Sequence, residues 1–393
     1  MLCAFAALSV WSCSTTTSST GGGDPAAQKT CQSDPECGSG GQFCDTAKGA
    51  CAALPPGSEI GHHDGSAASV TLTEIFATAS TTKPVDLAFN PDDPTQLWVI
   101  GYGDDSVYVG TGAGTDAVAW KRYVDPAAEH FMHRPPAMAM GASGTWATCG
   151  DNDNTQNSPS GDGAGADFMG PALFSTNTSV FAKPATMLGS HLDMLHNTPL
   201  CRGIAHVAAN WYWVFNANDK SLDKYNFAKD HGPGNDDHAD GEIYRYAQGQ
   251  VKGADGFSSH LFYEAESAML YVADTGNARI VRLDTTKGKK GKPLPRQYEP
   301  LKDDAIMAET SVEVVVAPGA VDKPSGLELK GELIYVTDAA TSQFHVFDKT
   351  GKLLRSLDTA LPPGSLSGFT FGPDRKIWFT DRVGGRVLRI DPL

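Results

Sequence analysis

The run Ala268 to Asp284, AMLYVADTGNARIVRLD, constrains the fold of this chain more than any other stretch. Two runs that alternate apolar and polar residues, MLYVAD and ARIVRLD, flank the turn residues Asp274, Thr275, Gly276 and Asn277. That periodicity predicts neighbouring antiparallel strands in a half-buried sheet. A lone hairpin cannot bury its own apolar face, so the pattern must recur along the chain.

It does recur. Strand pairs aligned on this hairpin read PVDLAF with QLWVIG, PAMAMG with TWATCG, RGIAHV with WYWVFN, HLFYEA with MLYVAD, SGLELK with LIYVTD, and SGFTFG with IWFTD. Third strands follow as SVYVGT, PALFST, LDKYNF, ARIVRLD, FHVFDK and RVLRIDPL. Six units of at least three strands, unevenly spaced by insertions, predict an all-β, six-bladed β-propeller. The last unit lacks an outer strand, and VTLTEIFAT at Val70 to Thr78 is a spare strand ahead of the first. The N-terminal strand is therefore expected to complete the last blade and close the ring. The apolar strand ending in Asp, the Gly-Asn turn and the Arg-Ile-x-x-Asp strand resemble the core of an NHL repeat, which implies the same propeller fold.

Composition narrows the partners. With 393 residues and a net charge of -15, the chain has no basic stripe for phosphate neutralisation, and Lys287 to Lys292 is too short and Gly-diluted to supply one. Nucleic acid is not an expected partner; a small molecule, peptide or glycan on one face of a monomeric propeller is. Residues 1–13, MLCAFAALSVWSC, are too short to span a bilayer and read as a secretion signal. The small residue before Cys13 and the Ser/Thr/Gly run after it resemble a bacterial lipoprotein signal, with Cys13 lipidated; ordinary secretion is the alternative. The expected location is the cell envelope, through that anchor alone, or outside the cell.

Residues 14–30 read as a flexible linker and residues 31–51 as a small module carrying Cys31, Cys37, Cys44 and Cys51. In an oxidising compartment two disulfides suit so short a segment better than zinc, and their pairing is open. Residues 52–69 read as a second linker, and residues 70–393 as the propeller.

In a propeller, the loops entering each inner strand and those joining second to third strands share one face. Alignment places His130, His133, Cys149, His191, Asp193, His196, Cys201 and His260 there. EHFMH and HLDMLH hold histidines close enough in sequence to share one ion, and neutral imidazoles suit zinc, copper or iron. Cys149 and Cys201 are expected to form a disulfide between adjacent blades. A second cluster, DHGPGNDDHADGE, holds His231, Asp236, Asp237 and His238; its carboxylates suit calcium, its histidines a transition metal, and a solvated acidic turn is the plain alternative. It is expected on the opposite face or folded over the rim. Residues 150–167 form an acidic loop that could serve as a lid or calcium site. His206 and His345 read as structural.

Serine nucleophile elbows, phosphate loops and zinc-protease helices are absent from the sequence. Exported six-bladed propellers of the NHL type include the peptidyl-hydroxyglycine amidating lyases. That resemblance implies a channel zinc held by histidines, for which His133 and His260 are the best-matching positions. Similarity to gluconolactonase-type propellers implies instead a divalent ion among Asn216, Asp274, Asp338 and Asp381. Two functions follow: a metal-dependent lyase or hydrolase, and a non-enzymatic surface module that binds a peptide, glycan or metal.

Overall fold

The computed structural model describes residues 29–38, 41–115, 118–153, 168–296 and 298–393. Residues 1–13, read from the sequence as a signal segment with Cys13, and the greater part of the 150–167 loop lie outside the described residues. The chain divides into two compact units, Met1–Leu54 and Pro55–Leu393.

The smaller unit holds one hairpin, Gln42–Asp45 against Ala50–Ala53. Its four half-cystines, all buried, pair Cys31 with Cys44 and Cys37 with Cys51. Two cross-links stand in for the aliphatic core that a segment this short cannot build.

The larger unit is a six-bladed β-propeller of four-stranded antiparallel sheets. The inner strands, in order around the ring, are Pro84–Asn90, Met138–Met140, Cys201–Ala208, Leu261–Glu264, Pro324–Lys330 and Leu366–Phe371. Each aligned pair and third strand read from the sequence lies side by side in one blade. Val70–Ala77 pairs antiparallel with Arg386–Pro392 and completes blade six, so the ring closes through a strand from the start of the propeller. Phe76 of that strand stacks on Trp120 of blade one at 4.1 Å between ring centroids, which covers the seam.

Large apolar side chains fill the spaces between blades. Trp98, Trp146, Phe174 and Phe181 are fully buried together between blades one and two. At roughly 1.5–3 kcal/mol for each large side chain taken from water, such inter-blade clusters dominate the stabilisation. The acidic residue that ends a second strand is a structural anchor. Buried Asp274 accepts from the Lys252 amide at 2.7 Å and from Arg279 Nε at 2.7 Å. Asp381 does the same with Gly384 N and Arg386, and Asp338 accepts from the amides of Asp322 and Lys323. These carboxylates are engaged by their own blades.

Two departures from regular blades matter for the site. Blade three carries two extra strands, Asp303–Ala308 and Lys289–Lys290, borrowed from the insertion between the third and outer strands of blade four. Asp303–Ala308 runs parallel to the outer strand Glu242–Tyr246, with Glu242 opposite Asp303. Pro55–Ser69, read as linker from its composition, packs on the propeller: Ile60 is fully buried, and Glu59 accepts from Lys330 Nζ at 2.7 Å and Tyr335 Oη at 2.5 Å.

Candidate metal centre

Blade two ends in a very short outer strand, Asp193–Met194, preceded by His191 and followed by His196. The loop that leaves the third strand of blade three folds back along it. His231 N donates to Leu192 O at 3.1 Å and Gly234 N to His191 O at 2.8 Å. Gly234 has φ 69° and sits so close to Gly189 O and Thr186 that any side chain would collide. The loop therefore takes the rim path, and its histidines reach those of blade two.

The result is a continuous line of imidazoles. Ring centroids are 5.0 Å apart for His191 and His231, 5.4 Å for His231 and His238, and 6.2 Å for both His238 with His196 and His196 with His130. Two groups of three converge, with ligand atoms within 4.8 Å of one another: His191, His231 and His238, and His196, His238 and Glu299. Glu299 comes from the blade-four insertion, positioned by the parallel strand that begins at Asp303.

Hydrogen bonds fix which nitrogen is free. Nδ1 of His191 meets Leu188 O at 2.8 Å, and Nδ1 of His231 meets Gly232 O at 2.7 Å. A carbonyl only accepts, so each Nδ1 carries the proton and each Nε2 presents a lone pair. Nδ1 of His196 meets Glu299 Oε2 at 2.6 Å. The Nε2 atoms of His196, His231 and His238 are buried without a hydrogen-bond partner. Burial drives His191 down to about 3 and His130 to about 4, with neighbouring imidazoles adding to both, and lowers His238. These three are neutral at pH 7, the form that binds metals. Burial raises Glu299, but its bonds to His196 outweigh that and hold it below the usual range. Asp193 is buried with neither carboxylate oxygen hydrogen-bonded, and burial, with Asp240, Asp230 and Glu299 nearby, pushes it up to about 9. His231 also lines a surface depression with Asp230, Asp237 and Asp240, so the line of imidazoles is reachable from solvent.

The other expected residues lie elsewhere. His133 Nδ1 pairs with Asp105 at 2.9 Å. His260 lines the central channel beside Asp86. Asp236 is exposed and stands 3.7 Å from His238, and neither it nor Asp237 belongs to a convergent group among the described residues. Cys149 and Cys201 are disulfide-bonded and tie blades two and three together. His206 and His345 bond Ala209 O and Ser356 Oγ, respectively. Sequence reasoning missed Glu299, which sits in an insertion without periodicity and reaches the site only through tertiary structure. It also missed Asp86 and Glu328, although a carboxylate inside an apolar inner strand, as in PVDLAF and SGLELK, is a readable signal.

No protein-family model and no curated protein sequence matches the chain. Solved structures do. An auxiliary nutrient binding protein from Bacteroides ovatus aligns with a TM-score of 0.53 at 14% identity, over 83% of this chain and 77% of that one. Its counterpart from Bacteroides thetaiotaomicron gives 0.51 at 12%, over 78% and 68%. Virginiamycin B lyase from Staphylococcus aureus gives 0.46 at 12%, over 82% and 89%. At these identities the first two likenesses support the propeller fold alone.

Proposed function

We propose that this chain is an exported propeller that holds one transition metal ion, zinc, copper or iron, through Nε2 of His191, His231 and His238, and acts as a metal-dependent hydrolase or lyase. One observation carries the reading: imidazoles from two blades converge with Nδ1 tied back at His191 and His231 and lone pairs left over. A buried polar atom without a partner costs about 1–3 kcal/mol; within the trio the Nε2 atoms of His231 and His238 are in that position, as is that of His196 beside it, and they are better explained as ligands than as loop caps. His196 stands beside the trio, oriented by Glu299 in the manner of a carboxylate behind a metal-binding histidine. A bound ion would supply Lewis acidity and a water ionisable near neutral pH. The chain would hold the imidazoles neutral and keep Asp193 protonated at the margin as a proton donor. Export rests on three disulfides, which persist in oxidising compartments.

A second reading, ligand capture without turnover, draws support from the nutrient-binding proteins whose fold the chain shares. Elemental mass spectrometry on untagged protein from the exported fraction tests the first reading. About one zinc, copper or iron per chain supports it, and substrate screening follows. Calcium alone, or no metal, removes the enzyme reading and leaves the binding module.

A further inference from the structure

The central channel is a second site, sharing no residue with the imidazole cluster. At the end where the inner strands begin it is shut. Ser258 Oγ donates to Pro136 O at 2.6 Å, and Ser367 Oγ donates to Ser258 Oγ at 3.3 Å, which joins blades two, four and six across the axis. Above that level the Arg382 guanidinium lies over the rings of Tyr102 and Phe257, at 5.7 and 5.4 Å, and donates to Gly256 O. Beyond the closure all six inner strands line a cavity of about 210 Å³ that extends to Ala88, Met140, His206 and Tyr263, toward the strand ends.

Among the described residues two carboxylates face this cavity, and no Lys or Arg lines it. Asp86 is committed: Oδ1 accepts from Leu87 N at 2.9 Å and Oδ2 from Met138 N at 2.8 Å, and His260 Nδ1 stands 3.8 Å from Oδ1. Gly368 lets blade six approach this pair, since a side chain there would strike both Asp86 and His260. Glu328, from the inner strand of blade five, has no hydrogen-bond partner among the described residues. Glu328 is half-buried; a carboxylate held against a largely apolar wall without a counter-ion is costly, and the volume exceeds that of a bare ion. Much of the remaining wall is apolar, from Ala88, Met140, Leu261, Phe262 and Leu327.

We propose that the blind channel binds a small primary amine, its ammonium group held by Glu328 with Asp86 behind it and its carbon chain against the apolar wall. Burial, reinforced by Asp86, holds the empty-site Glu328 up at about 8. Binding an ammonium ion therefore ionises the carboxyl and releases a proton at pH 7. The other titratable groups that face the cavity are Asp86, His260, His206 and Tyr263.

The test is isothermal titration calorimetry of the full chain at pH 7 with n-butylammonium, n-butanol and calcium chloride, in two buffers of different ionisation enthalpy. The expected result is saturable n-butylammonium binding with proton release, weakened about tenfold or more in Glu328→Gln, and no binding of the alcohol. A His231→Ala variant should bind the amine unchanged, which separates this outcome from the fate of the metal reading. The proposal is overturned if the alcohol binds as well as the amine, or if Glu328→Gln keeps full amine affinity while circular dichroism shows both proteins folded. It is equally overturned if calcium, but not the amine, binds in a Glu328-dependent way.

Discussion

His196 and Glu299, 103 positions apart, meet at 2.6 Å between Nδ1 and Oε2, and the Glu299 carboxylate also accepts from the His196 amide at 3.0 Å. One side chain thus fixes both the ring and the backbone of a histidine in another blade. Replacing Glu299 with Gln should leave the fold intact and weaken metal binding by about 10–100-fold, the usual effect of removing a supporting carboxylate. Competition titration against a chromogenic chelator reads this directly, and an unchanged affinity would mean that His196 takes no part in holding the ion.

Metal content should also sort the histidines by place. A His231→Ala/His238→Ala double variant removes members of both convergent groups and is expected to purify without stoichiometric transition metal. His133→Ala, which removes a partner of Asp105, should retain it. Equal metal in all three proteins would relocate the site.

Stability should depend on pH through Glu328. Its ordinary value is 4.5 and its folded value about 8, so below about pH 4.5 both folded and unfolded chains hold the proton and the folded state carries no penalty. As pH rises from there to about 8, the unfolded chain ionises first and stability is lost; beyond 8 the difference is constant. Glu328→Gln should therefore gain melting temperature over the parent, the gain growing between about pH 5 and 8 and levelling above. Thermal scans in amine-free buffer measure it, and a pH-independent difference would show that Glu328 titrates normally.

Asp223 and Arg245 form a buried pair in blade three, with 0% and 3% of their side chains exposed and Nη2 to Oδ2 at 2.9 Å. Asp223→Ala strands the guanidinium with only Asp219 and the Asn197 carbonyl, and should cost about 3–5 kcal/mol. Urea unfolding followed by fluorescence checks the size; a loss under about 1 kcal/mol would mean that Asp219 alone suffices.

Most of the propeller was legible because its blades repeat a local pattern. The strand-turn-strand signal around Asp274 recurs six times, and the spare strand at Val70 pairs where the missing edge required it. The histidine site was legible in its residue types but not in its assembly. His231 and His238 join His191 only because their loop folds over the rim, held by backbone bonds to Leu192 and His191 that no periodicity announces. His133 and His260, matched by resemblance to channel ligands, are drawn off by Asp105 and Asp86, carboxylates distant in sequence. The carboxylates that end second strands looked like ligands but serve as turn anchors, because each has amides or an arginine of its own blade within reach.

The clasp between Val70–Ala77 and Arg386–Pro392 also sets a timetable. Its first half leaves the ribosome before any blade exists, and its second half emerges last, as the third strand of blade six. Until then the Val70–Ala77 strand has no partner and blade one lacks its blade-six neighbour, so two sheet edges stand open at once. A nascent chain of this kind gains most from holding factors late in its production, and a stall shortly before Arg386 would strand it as a species ready to pair with its copies.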